Sequence, residues 1–120
     1  MLKMAVTAAA ALMIAAPALA ENWDFVLINN SGKPIKTVEV SPAGAGTWVA
    51  NKVEADVQKD KLLKAGGRMT VHFDKGAACK YDVKATFEDG SSAVWSGFNA
   101  CDNSYMTVAN ANGVASFKAM

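Results

Sequence analysis

The sequence predicts an all-β protein: a small antiparallel β-sandwich of about seven strands, with one short helix and one disulfide. Three observations carry that expectation. Apolar and polar residues alternate with period two in several segments, most cleanly over Tyr81–Glu88. Turn signals rich in Gly, Asn and Asp recur about every 6–12 residues, the spacing of short strands. The chain has only 120 residues and opens on an apolar leader, which leaves room for a single small core.

Met1–Ala20 reads as a secretory signal peptide, and residues 21–120 as one domain. Lys3 supplies the positive start, Met4–Ala16 an apolar stretch broken only by Thr7, and Pro17 a helix stop. Ala18-Leu19-Ala20 is a small-x-small cleavage site, so cleavage is expected between Ala20 and Glu21. A membrane-spanning helix needs about 20 strongly apolar residues. This stretch is shorter and mostly alanine, so no stable membrane insertion is expected after cleavage. The leader also inflates the 52% hydrophobic content. One of the 12 basic groups, Lys3, leaves with it, and the remainder balances the 11 acidic ones. A neutral domain is not a nucleic-acid binder working by bulk charge.

The strands are expected in this order. Trp23–Ile28 is an apolar run ending at the turn signal Asn29-Asn30-Ser31-Gly32. Ile35–Ser41 alternates, with Ile35, Thr37 and Glu39 against Lys36, Val38 and Val40, and its polar mixture suggests an exposed strand. Pro42, Gly44 and Gly46 close it. Val49, Val53, Val57 and Leu62 or Leu63 recur near helical spacing, with late lysines and then Gly66-Gly67, which predicts a short helix within residues 50–64. Met69, Val71 and Phe73 alternate with Thr70, His72 and Asp74. Tyr81, Val83, Ala85 and Phe87 alternate with Asp82, Lys84, Thr86 and Glu88. Asp89-Gly90 makes a hairpin turn to Ala93–Phe98, and Asn110-Ala111-Asn112-Gly113 one between Tyr105–Ala109 and Val114–Lys118.

Export places Cys79 and Cys101 in an oxidising compartment, where one intramolecular bridge is possible. They stand about equally far from Gly90, so a hairpin turning there brings them to its mouth. A bridge closing that loop is worth about 3–4 kcal/mol. The alternatives are a reactive thiol, which would need His72, the single histidine, as its base, and a metal pair, whose spacing matches no compact zinc motif.

With these elements in place, the chain resembles a family of small exported bacterial β-rich proteins. The resemblance runs over Phe25–Gly32, Val38–Pro42, Trp48–Leu63, the Cys-x-Tyr-Asp-hydrophobic motif Cys79–Val83, Glu88-Asp89-Gly90, Trp95 and Cys101. It implies a small exported β domain for which no activity is established, with no catalytic residues to carry over. Some members are labelled argininosuccinate lyase. That label does not fit these residues, because the lyase is several times longer, mostly helical and cytosolic. Members often place Gly and acidic residues just after the tryptophan. Here Val49-Ala50-Asn51 follow Trp48, and acids appear only at Glu54 and Asp56.

Candidate chemistry is sparse. No nucleophile elbow, zinc-protease helix or phosphate loop is present. His72 sits on the polar side of its strand, where most histidines are solvated. Three uses remain. Trp48, Phe98 and Tyr105 could form an aromatic binding surface for an envelope protein or a glycan. Asp82, Glu88, Asp89 and Asp102, around the hairpin, could hold calcium, a hard cation that takes carboxylate and carbonyl oxygens. A small secreted hydrolase would need His72 in a pocket with an acid and a hydroxyl. The reading is an exported, periplasmic or secreted, non-enzymatic β domain acting as a binding or structural module of the cell envelope, with no cofactor beyond possible calcium.

Overall fold

The computed structural model describes residues 21–52 and 62–120. The expected leader, Met1–Ala20, and the middle of the expected helix, residues 53–61, lie outside them. The described residues form eight strands: β1 (Glu21–Asn29), β2 (Ile35–Pro42), β3 (Val49–Lys52), β4 (Arg68–Lys75), β5 (Lys80–Phe87), β6 (Ser92–Asn99), β7 (Tyr105–Ala111) and β8 (Val114–Ala119). They make two four-stranded sheets, ordered β4-β1-β7-β8 and β3-β2-β5-β6. Five of the six strand pairings are antiparallel. The exception is β1 with β7, which runs parallel with Val26 opposite Tyr105.

The all-β class and the sandwich stand, and the expected helix does not survive at either described end. Val49–Lys52 is a strand paired with β2, and Leu63 makes an isolated bridge to Ile35. The Val49/Val53 spacing imitates a helical face, but partner backbone at β2 claims its first residues.

The core lies between the sheets. Alternation sends Phe25 and Leu27 of β1, Met69, Val71 and Phe73 of β4, and Met106 and Val108 of β7 inward from one side. Val38 and Val40 of β2, and Tyr81, Val83, Ala85 and Phe87 of β5, meet them from the other. A chain of ring contacts crosses the interface: Tyr81 to Phe73 at 4.8 Å, Phe73 to Phe25 at 5.9 Å, Phe25 to Phe98 at 4.7 Å and Phe98 to Phe117 at 6.1 Å. Such tilted and edge-on pairs each add about 0.5–1.5 kcal/mol beyond area burial. Trp95 of β6 is buried, and its indole N–H donates to the Ala109 carbonyl of β7 at 3.0 Å, tying one sheet to the other.

β2 corrects a second expectation. It is an interior strand, and its inward residues are Ile35, Val38 and Val40. The register shifts between Ile35 and Thr37, so Lys36 is a bulge that switches the phase of the alternation. A strict period of two therefore assigned Thr37 and Glu39 to the face of Ile35, when they lie opposite it.

Candidate functional site

The β5–β6 hairpin is the best-defined local unit. Phe87 and Ser91 close its turn, Gly90 takes a φ of 89°, and the Gly90 N–H donates to the Phe87 carbonyl at 3.0 Å. Thr86 pairs with Ser92, which centres the turn on Asp89 rather than Gly90. Farther down, Tyr81 pairs with Phe98 but Val83 with Trp95, so β6 carries one extra residue at Ser96–Gly97. Gly97 adopts a φ of 82°, open to glycine and strained for other residues. Cys79 and Cys101 are disulfide-bonded at the mouth with Cα atoms 5.2 Å apart. Cys79 itself lies across from Ala100, whose N–H it accepts, so the bridge is offset by one residue.

The hairpin acids are not gathered. Among the described residues no group of three or more His, Cys, Asp or Glu side chains is placed to hold a metal. Each aspartate has a hydrogen-bonding role of its own. Asp82 accepts from the Gly97 N–H at 3.2 Å and from the Gly44 N–H at 3.0 Å, clamping the β6 bulge to the β2–β3 loop. Asp89 accepts from the Ser91 hydroxyl at 2.6 Å, the Ser91 N–H at 3.0 Å and Lys33 Nζ at 3.1 Å. The Ser91 contacts first, then the lysine, push its carboxyl from the ordinary 3.8 down to about 2. Asp102 accepts from Asn99 Nδ2 at 3.1 Å, and Glu88 is an exposed turn residue. These are the uses a turn makes of short acids.

The three aromatic candidates are also separated. Phe98 is fully buried between Phe25 and Phe117, because the bulge at Ser96–Gly97 turns it inward. Trp48 is half-buried beside β3, with Lys84 Nζ 5.8 Å from its ring centre, on the outer side of the β2–β5 sheet. Tyr105 is 40% exposed on the outer side of the other sheet, since its neighbour Met106 points into the core. The expected patch is therefore split across opposite faces of the sandwich.

Among the described residues, the outer face of the β4-β1-β7-β8 sheet around Tyr105 stays open. The register aligns Thr70, Val26, Tyr105 and Met120 in one row across the four strands. The next row is Arg68, Ile28, Thr107 and Lys118. Val26 and Ile28 are half-buried there, and Arg68 and Lys118 are exposed at the two ends. The apolar run Trp23–Ile28 concealed these two residues, since nothing in it marked which face was open. Only the parallel β1–β7 pairing, between segments far apart in the chain, sets them beside Tyr105.

Elsewhere the polar groups are structural. Asn29 is fully buried and saturated: its Nδ2 donates to Lys33 O at 2.8 Å and Leu63 O at 2.9 Å, and its Oδ1 accepts from the Ser31 N–H and hydroxyl. Asn51 of β3 accepts the His72 N–H at 2.8 Å and donates to the His72 carbonyl at 2.9 Å, joining the sheets at one edge. The His72 ring is exposed, 3.9 Å from Asp24. It does not line the shallow cavity of about 210 Å³ at the far end, which is bounded by Asn30, Ser31, Gly32, Ala65 and Ala109–Ala111 and holds no titratable side chain. The hydrolase arrangement therefore has no His72 pocket there.

No protein-family model matches the chain, and no curated protein does. Among solved structures the chain is similar to the NMR structure of a protein from Eubacterium rectale, at 18% identity and a TM-score of 0.56, over 82% of this chain and 88% of that one. A likeness at that identity concerns the fold alone, and it agrees with the two-sheet architecture described above.

Proposed function

We propose that this protein is an exported, non-enzymatic module of the cell envelope, periplasmic or secreted, that binds a glycan across the open sheet face around Tyr105. The observation that carries the reading is the half-exposed Tyr105 ring, with Val26 beside it on β1, Ile28 and Thr107 in the next row of the same face, and Thr70 one strand beyond Val26. A flat aromatic beside hydroxyls suits a sugar ring, which offers C–H groups on its face and hydroxyls at its rim. Arg68 and Lys118 at the ends of the adjacent row favour a glycan with acidic substituents. The Cys79–Cys101 disulfide is consistent with an oxidising, exported location.

The test is calorimetric titration of the protein, recovered after export, with fragments of acidic envelope polysaccharide. Binding should weaken about tenfold in Tyr105→Ala, the loss of one aromatic contact, with the melting temperature unchanged because the ring is not in the core. Absence of wild-type binding, or equal affinity in the variant, refutes the reading.

A further inference from the structure

An open sandwich has four edge strands, and an unprotected edge is a template for another strand. The four edges here are unequal. β3 is four residues long, and its Asn51 occupies the outward backbone groups of His72 in β4, so these two edges close on each other. β6 is interrupted by its Ser96–Gly97 bulge. β8 has neither device. It pairs with β7 in unbroken register, carries Lys118 as its single charge, and is exposed at every position except the half-buried Phe117. Tyr105 and Met120 exchange both backbone hydrogen bonds, which sets the alternation of the ladder. The N–H and C=O groups of Val114, Ser116 and Lys118 thus face β7, and those of Ala115, Phe117 and Ala119 face outward. Among the described residues no strand pairs with that outward row.

We propose that β8 pairs antiparallel with β8 of a second copy, about a two-fold axis at Phe117. In this register Phe117 lies opposite its own copy and Ala115 opposite the partner's Ala119, all at outward-bonding positions. Val114, 66% exposed, meets the partner's Met120, 68% exposed, so the two most exposed large apolar side chains of the described residues cover each other. Lys118 meets the partner's Ser116. Sliding the axis to residue 118 would set Lys118 against its own copy, and sliding it to 116 would leave Met120 uncovered. The product is a continuous eight-stranded sheet. It rests on the edge of the sheet, independently of any ligand on its face.

Sedimentation equilibrium of the protein recovered after export, at concentrations up to about 1 mM, tests this. The wild type should move from monomer to dimer with concentration. Ser116→Lys sets a lysine against the partner's Lys118 twice per dimer and should weaken association several-fold, up to about tenfold. Ser116→Glu makes the same contacts attractive and should strengthen it by a similar factor. Ser116 is exposed, so both variants keep the fold. A wild type that stays monomeric overturns the proposal, as does a dimer whose affinity fails to move in these opposite directions.

Discussion

Asn29 and Asp89 show how a residue's role follows from what reaches it. Asparagine after an apolar run signals a turn, and Asn29 does end β1 at one. Three of its four side-chain hydrogen bonds are local, to Ser31 and Lys33, and the fourth reaches the Leu63 carbonyl, 34 residues away, which no local pattern contains. Asp89 was legible as a turn residue, and its partner Lys33 was not. Its carboxyl is held below the ordinary value, so it stabilises the fold above about pH 4 and that contribution disappears as pH falls toward about 2. Urea midpoints of wild type and Asp89→Asn should differ at neutral pH and converge toward pH 2. A gap that stays constant with pH would contradict this. Phe98 departs from strict alternation for a local reason: one bulge two residues earlier reverses the face on which its side chain emerges.

At the scale of the element, β4, β5 and both hairpin turns follow from the sequence because local chemistry decides them. Asn112-Gly113 takes positive φ at both residues, the two-residue turn that matches strand twist. β2 and β3 do not follow so directly. The bulge at Lys36 is fixed by pairing with β5, and Val49–Lys52 extends because β2 offers it a ladder. The disulfide belongs to this scale, since it closes the open end of the β5–β6 hairpin. Reduction should lower unfolding stability by about 3–4 kcal/mol, read as a shift of the urea midpoint with and without reductant. Equal midpoints would mean that the Asp82 clamp and the ladder already hold the hairpin mouth.

Across the whole molecule the two sheets are joined at one edge by Asn51 on the His72 backbone, and through the middle by Trp95 and the ring chain. Replacing Asn51 with Ala leaves a backbone donor and acceptor of β4 without their partner. It should destabilise the protein by about 1–3 kcal/mol and speed hydrogen exchange at the His72 amide; unchanged exchange would show that the edge is closed by other contacts. The sequence by itself determined the all-β class, the cysteine pair, the hairpin turns and the inward residues of β4 and β5, because each depends on neighbours within a few positions. Only the tertiary structure decided which edges close, which face stays open and which aromatics reach solvent. Those outcomes depend on the parallel β1–β7 pairing and on bulges set by partner strands, and contacts between distant segments leave no local periodicity to read.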